Sequence, residues 1–178
     1  GHADVMLGLI TVKNEKLFLK IKDTAVSLGD CPGPQECYLS LRGLRTLSTR
    51  LERHRSSALK IARLLENNNK VSKVFHPALP KNDNYELWSK YFTGSTGLFS
   101  FILKEQSKSK VYKMIDKLEL FKLGFSWGGY ESLILPVFPK NERNIARWNE
   151  KGTLLRIHVG LENVDDLIQD LFKSFKLH

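Results

Sequence analysis

The stretch GTLLRIHVGL at residues 152–161 decides the fold. Apolar and polar side chains alternate along it, which is the period of a strand with one buried face. The apolar set is Leu155, Ile157 and Val159, and the polar set is Arg156 and His158. We therefore predict a half-buried strand over residues 154–159.

The residues that follow, ENVDDLIQDLFKSF at 162–175, predict a helix. Asn163 can cap its first turn, and Asp165 and Asp166 place negative charge where the helix dipole favours it. The apolar side chains fall on one face, namely Leu167, Ile168, Leu171, Phe172 and Phe175. A strand followed closely by an amphipathic helix is typical of a sheet that is covered by helices.

The segment before this strand alternates between strand and helix patterns. The predicted strands are residues 71–75, 97–103 and 133–138, and the predicted helices are 83–91, 107–118 with Ser107 as N-cap, and 141–149. We therefore expect residues 67–178 to form a small α+β domain. Its sheet should be largely antiparallel, with helices on one face.

The first 66 residues read as the end of a larger α/β domain. Val5 to Val12, VMLGLITV, has the apolar character of a buried strand, and residues 16–28 have a helical pattern. After a Gly- and Pro-rich turn, the apolar stripe from Pro34 to Glu66 predicts one long helix. A single strand cannot form a sheet alone. We therefore assign residues 1–66 to the end of a larger domain and to the helix that links it to residues 67–178.

Composition places the chain among ordinary globular proteins. It has 178 residues, 42% hydrophobic and 26% charged, with no apolar run that could span a bilayer and no secretory signal. Cys31 and Cys37 lack the spacing of a zinc site and are too few for a disulfide scaffold. We expect structural or incidental thiols and a cytoplasmic location.

The formal net charge of +9 raises the question of an anionic partner. The basic residues are spread from Lys13 to Lys176, and no nucleic-acid-binding motif accompanies them, so a solvated face is the better interpretation. A nucleic-acid-binding module stays a third hypothesis, and no membrane partner is expected.

The histidines have no metal-ligand spacing, and we expect no metal site; they are His2, His54, His76, His158 and His178.

Two stretches carry a resemblance to a known family. Residues 125–133, FSWGGYESL, resemble the active-site loop of bacterial cystathionine β-lyases. Residues 152–167 resemble the arginine-bearing strand and last helix of the Cys/Met-metabolism family of pyridoxal-phosphate enzymes. Further matches cover the chain in order, at residues 1–8, 38–47, 76–80 and 92–101. The fold that this resemblance implies is the C-terminal domain of a fold-type I enzyme.

The loop also distinguishes members of the family. The γ-synthases and γ-lyases tend to carry Ser-Leu-Gly-Gly-Val-Glu-Ser, so Trp127 and Tyr130 point to β-elimination. Phe125 stands where the β-lyases usually have tyrosine, which removes a hydroxyl from the pocket wall. The implied reaction is pyridoxal-phosphate-dependent cleavage of cystathionine to homocysteine, pyruvate and ammonia, in methionine biosynthesis.

The resemblance also implies substrate-binding residues. Arg156 would bind the α-carboxylate of an amino-acid substrate through its planar guanidinium, with Ser126 and the backbone of Trp127 beside it. Tyr130 and the Glu131–Ser132 pair would support the loop. From the residues alone, Arg156 also fits a surface arginine and Trp127 a core aromatic, and His158 reads as structural.

The family's Schiff-base lysine lies in a segment that the resemblance places before Gly1. We therefore expect no catalytic residue and no cofactor-binding residue in this chain, and no stable binding of pyridoxal phosphate to it alone. The first hypothesis is a C-terminal portion of the lyase that associates with the missing N-terminal part or forms a homo-oligomer. The alternative is a non-catalytic remnant of a split or degenerate gene, acting as an association module.

Overall fold

The computed structural model describes residues 1–105, 107–139 and 148–176. The helix predicted over residues 141–149 falls mainly outside these ranges. Two compact units form, Gly1–Leu47 and Ser48–His178. The domain boundary expected after residue 66 stays a prediction; the compact units divide earlier.

The first unit contains two helices, α1 (Glu15–Leu28) and α2 (Pro34–Arg45). The Asn14 side chain caps α1 by accepting a hydrogen bond from the Leu17 amide at 2.9 Å. Gly29 follows α1 with φ of 70°, in the left-handed region that glycine adopts at helix ends. The helix predicted over residues 16–28 is therefore confirmed, as is the place of Pro34 in a first helical turn.

The strand predicted over Val5 to Val12 is wrong, because the structure has no strand within residues 1–47. The apolar side chains of this segment are largely exposed, with Met6 at 95%, Leu9 at 80% and Ile10 at 73%. Apolar character alone does not make a strand. Its backbone donors and acceptors must pair with a neighbour, and none is present in this unit.

The single helix predicted over Pro34 to Glu66 is interrupted at Thr46. The α2 helix ends at Arg45, and α3 covers Leu47–Glu66. The Thr46 hydroxyl donates to the Gly43 carbonyl at 3.3 Å and lies 2.9 Å from Nε2 of His2. The bond from the Thr46 hydroxyl to the Gly43 carbonyl is a local side-chain bond of the kind that competes with helical backbone pairing.

The second unit contains one five-stranded sheet with the order β1-β2-β5-β4-β3. All neighbours are antiparallel except β3 and β4, so the predicted antiparallel character is confirmed. The two-residue β3 has no sequence signal and was not predicted. The strands are β1 (Val71–Phe75), β2 (Leu98–Leu103), β3 (Lys122–Leu123), β4 (Leu133–Val137) and β5 (Thr153–His158). The remaining helices are α4 (Tyr85–Tyr91), α5 (Lys108–Ile115) and α6 (Val164–Lys176).

One face of the sheet joins α3, α5 and α6 in the hydrophobic core. Central β5 contributes Leu155 and Ile157, which lie opposite Phe101 and Phe99 of β2. The helices contribute Ala58, Ile61, Leu65, Val111, Met114, Leu167, Leu171 and Phe175. Within the described residues, no helix has the length and apolarity that crossing a membrane requires.

Truncation at the centre of this core should strongly destabilise the second unit. Phe101 is 0% exposed, so Phe101→Ala should lower the free energy of unfolding by about 3–5 kcal/mol through lost burial and a new cavity. The matched control is Phe125→Ala, at a side chain that is 79% exposed, with an expected effect within about 0.5 kcal/mol. Denaturant titration measures both, and equal destabilisation by the two variants would contradict this core.

Candidate active site

Residues 124–132, GFSWGGYES, form the loop that joins β3 to β4, here named the Trp127 loop. Because β3 and β4 are parallel, the chain must return along the sheet before β4 begins. The Lys122 amide donates to the Ser132 carbonyl at 3.0 Å, which brings the two ends of the loop together. Gly128 has φ of 82°, a conformation that other residues rarely adopt.

Arg156 lies on β5, at the centre of the sheet. Its strand neighbours are Ser100 of β2 and Leu135 of β4, and its side chain is half-buried. Nη2 donates to the carbonyl oxygens of Gly124, at 3.4 Å, and Phe125. The arginine therefore binds the first residues of the Trp127 loop, and it is not a free surface side chain.

Ser126 and Trp127 directly follow Phe125, whose carbonyl Arg156 binds. Both are exposed, and the 62% exposure of Trp127 does not fit a core aromatic. Within the described residues, no hydrogen bond joins either of them directly to Arg156. The structure thus places Ser126 and Trp127 directly after the loop carbonyl that Arg156 binds. Their role remains a prediction.

The far end of the loop is fixed by a buried hydrogen-bond network. Ser132 is fully buried, and its amide and hydroxyl donate to the two carboxylate oxygens of Glu162 at 2.7 and 2.8 Å. The Gly160 amide donates to the Ser132 hydroxyl at 2.8 Å, and the Leu161 amide donates to the Tyr130 carbonyl at 2.8 Å. A Cβ on Gly160 would lie 2.3 Å from that carbonyl oxygen, so only glycine fits.

Sequence reasoning identified part of this network. Ser132 supports the loop as predicted, whereas Glu131 is exposed and makes no hydrogen bond to a described residue. Glu162 and Gly160 were missed. A single glutamate just before a helix cap is ordinary, and a glycine after a strand reads as a turn, so neither residue has a distinctive signal.

A third contact with the loop comes from His158, which is 2% exposed. Its ring lies against the backbone of Gly128 and Gly129, and its Nε2 lies 3.1 Å from the Gly129 carbonyl oxygen. Burial lowers the pKa of His158, and electrostatic interactions with His54 and Arg156 act in the same direction. The hydrogen bond with the Gly129 carbonyl raises the pKa of His158, and it does so more strongly than either His54 or Arg156 lowers it. Glu162 raises this pKa as well.

One largely apolar concavity lies away from these residues. It has a volume of about 480 Å³, and its lining includes Leu103, Val111, Met114 and Phe175 but not Arg156. Three lysines line it, Lys70, Lys104 and Lys110, and Lys110 is paired with Glu105 at 3.1 Å. The hydrogen-bonded loop is the better candidate site, because there the side chains with distinct chemistry meet.

Removing the Glu162 carboxylate should loosen the Trp127 loop. Glu162→Ala leaves two buried donors of Ser132 without an acceptor, which should lower the free energy of unfolding by about 1–3 kcal/mol. Glu131→Ala is the control on the same loop, where an exposed carboxylate should matter by less than about 0.5 kcal/mol. Denaturant titration compares them, and a neutral Glu162→Ala would rule out the network as a stabilising contact.

Comparison with known proteins places this geometry in context. The model of the Cys/Met metabolism PLP-dependent enzyme family matches residues 1–176. The chain is 42% identical over 179 residues to cystathionine beta-lyase MetC of Escherichia coli, with 98% of this chain and 45% of that protein covered. It is 40% identical over 173 residues to the L-alanine/L-glutamate racemase of Wolbachia pipientis wMel, with 96% and 43% covered. The chain thus spans about half the length of these relatives.

A solved structure agrees with the sequence comparison. The crystal structure of cystathionine gamma synthase from Xanthomonas oryzae pv. oryzae, in complex with aminoacrylate and cysteine, matches with a TM-score of 0.86 and 32% identity. The match covers 99% of this chain and 46% of that one. It supports the expected fold class, whereas the linking role of the helix before residue 67 stays a prediction. The chain belongs to the Cys/Met metabolism family of PLP-dependent enzymes.

Proposed function

We propose that this chain forms the substrate-carboxylate site of a cystathionine β-lyase, with Arg156 as the carboxylate-binding residue. The observation that carries the proposal is the guanidinium of Arg156 beside the Trp127 loop. Nη2 binds two loop carbonyls, while Nε and Nη1 have no hydrogen-bond partner among the described residues. Those donors form an edge that can bind a carboxylate with two parallel hydrogen bonds.

Orientation is the chemical purpose of such a site. A carboxylate bound at two points cannot rotate about its own axis, so the rest of the amino acid is directed toward the reacting groups. Ser126, exposed next to Phe125, adds a hydroxyl that can donate to the same carboxylate. Trp127 and Tyr130 favour β-elimination through the loop motif, and the lyase relative at 42% identity supports this choice.

A second candidate function is amino-acid racemisation. It is favoured by one observation, the 40% identity to the Wolbachia racemase over 96% of this chain. A racemase and a β-lyase both fix the α-carboxylate of an amino acid, so Arg156 would serve either reaction. The two differ in product, since racemisation leaves the side chain in place.

The family's cofactor does not fit the lysines of this chain. Pyridoxal phosphate supplies an electron sink when it is bound to the enzyme. Its attachment requires a lysine amine that has lost its proton, which burial or a neighbouring cation favours. Among the described residues no lysine is buried, and Lys73, whose pKa is raised by its hydrogen bonds with Glu150 and Asp83, is shifted in the wrong direction. We assign no step to these lysines.

The first unit is proposed as the surface through which the chain associates. Within residues 1–47, many large apolar side chains are exposed, which marks an association surface in a soluble protein. They include Met6, Leu9, Ile10, Leu17, Phe18, Val26, Leu28, Tyr38 and Leu44. The partner would be the N-terminal part that the longer relatives possess, or a second copy of this chain. A remnant acting only as an association module would use the same surface.

A reducing compartment, the cytoplasm, suits the two cysteines. Cys31 and Cys37 are both free and exposed. Exposed thiols in an oxidising compartment would form disulfides, whereas reducing conditions keep them as thiols. We therefore infer a cytoplasmic location for the enzyme.

The chain alone should be inactive. Mixed with pyridoxal phosphate, it should give no stable absorbance from bound cofactor and no pyruvate from cystathionine, because none of the lysines that the structure describes is buried. The lyase of Escherichia coli, assayed in parallel, is the positive control. Turnover by the isolated chain would contradict the need for a second part.

A chimera tests Arg156 directly. This chain would replace the matched 45% of the Escherichia coli lyase, and kcat/KM for cystathionine would be measured with bound cofactor confirmed by absorbance. Arg156→Lys should cost about 1.5–3 kcal/mol in transition-state stabilisation, since a point charge replaces a planar two-point donor. The control is Arg55→Lys, at an exposed arginine paired with Glu52, which should leave kcat/KM unchanged.

Two results of the chimera would count against the lyase proposal. Unchanged kcat/KM for Arg156→Lys would remove the carboxylate assignment. A higher kcat/KM for conversion of L-alanine to D-alanine than for cystathionine cleavage would favour the racemase instead.

A further inference from the structure

The turn at Gly128–Gly129 is the part of the Trp127 loop that contacts a buried titratable group. The Gly128 amide nitrogen lies 3.4 Å from Nδ1 and 3.2 Å from Nε2 of His158. Nε2 of the same ring lies 3.1 Å from the Gly129 carbonyl oxygen. One imidazole therefore contacts a backbone donor and a backbone acceptor of adjacent residues.

The two contacts require a neutral ring. The Gly128 amide is a donor, so the ring nitrogen that binds it must carry no proton. The Gly129 carbonyl is an acceptor, so the nitrogen that binds it must carry one. Nε2, although nearer to the Gly128 amide, cannot both accept from that amide and donate to the Gly129 carbonyl. Both bonds are therefore possible only when the proton is on Nε2 and Nδ1, at 3.4 Å, accepts from Gly128. An imidazolium has two donors and no acceptor, and it would lose the bond with the Gly128 amide.

The surroundings of His158 fix the position of its ring. His54 of α3 packs against it with ring centroids 5.2 Å apart, and Nδ1 of His54 lies 2.8 Å from the Val159 carbonyl oxygen. On another side, a Cβ on Gly97 would lie 2.3 Å from the Val159 carbonyl oxygen, so glycine is needed there, and 3.0 Å from the His158 ring. The imidazole is thus enclosed by a helix, a strand and the turn that it binds.

We propose that His158 is a positioning residue, which fixes the Gly128–Gly129 turn and so presents Ser126 and Trp127 beside Arg156. The contact between the ring and the turn rests only on the distances from the ring nitrogens to the Gly128 amide and the Gly129 carbonyl oxygen. Its consequence for an amino-acid substrate rests on the proposed function. His158 touches no substrate in this account and acts only through the loop.

The contact should depend on pH in a defined direction. The charged or titratable groups around the ring are His54 on α3, Arg156 on β5 and Glu162 beyond β5. Burial lowers the pKa of His158 in the folded chain, and the unfolded chain has the ordinary value. The stabilisation is therefore complete above the ordinary histidine pKa, and it is lost as the pH falls through the lowered folded value.

The test uses nuclear magnetic resonance on the 178-residue chain. Nitrogen shifts of the His158 ring should report the neutral tautomer with the proton on Nε2. The Gly128 amide should be protected from hydrogen exchange, and this protection should fall when His158 itself titrates. Two results would overturn the proposal without any variant. One is a His158 ring in the charged imidazolium form at neutral pH, and the other is Gly128 protection that does not change when His158 titrates.

Variants separate the hydrogen bonds from the volume of the ring. His158→Phe keeps a ring and removes both bonds, so the Gly128 amide should exchange at least about tenfold faster. His158→Gln can donate and accept through its amide, and it should restore part of the protection. His76→Phe is the matched control, since His76 is a buried histidine whose described contacts are with Ala78 and Phe99. An equal effect of His76→Phe would show general loosening and would contradict the assignment.

The chimera described above separates this inference from the proposed function. His158→Phe should lower kcat/KM for cystathionine, mainly through KM, and His158→Gln should recover part of it. If the turn is released and kcat/KM does not change, the positioning role is wrong. If Arg156→Lys has no effect while the Gly128 contact behaves as expected, the proposed function fails and the ring–turn contact stands.

Discussion

The pairing of β5 with strands on both sides is the constraint on which the second unit depends. Each of its backbone groups has a neighbour, in β2 or in β4, so the strand cannot shift without breaking two ladders. Alternate side chains then point to opposite faces. Leu155 and Ile157 enter the core with no exposure, and Arg156 and His158 reach the Trp127 loop.

The loop owes its conformation to contacts that β5 and the residues just after it provide. Arg156 binds its first carbonyls, His158 binds its central turn, and Glu162 binds Ser132 at its end. The three contacts come from a stretch of seven residues that is anchored by the core on one side and by α6 on the other. A loop fixed at three points from one rigid element is pre-organised, which favours binding because little entropy is lost when a ligand arrives.

Sequence patterns correctly predicted helices that are capped by nearby residues and strands whose pairing partners lie in the same compact unit. Residues 71–75 and the last helix were predicted correctly, since turn residues and a cap mark their ends. The Val5–Val12 strand was not, because pairing depends on a neighbour and not on apolar character. His158 was predicted to lie on the polar side of its strand. Apolar and polar side chains do alternate along β5, but the Trp127 loop covers the polar side, and His158 is therefore buried. Long-range coverage of this kind has no signature in a single sequence.

Native-state hydrogen exchange along β5 tests the central claim that the site is built on the most stable strand of the unit. The amides of Leu155 and Ile157 should exchange only through global unfolding, with an opening free energy equal to that from denaturant titration. Amides in the exposed part of the Trp127 loop should open at much lower free energy. If the β5 amides instead exchange by local opening, at a free energy well below that of global unfolding, the strand is not the rigid base of the site and the account is contradicted.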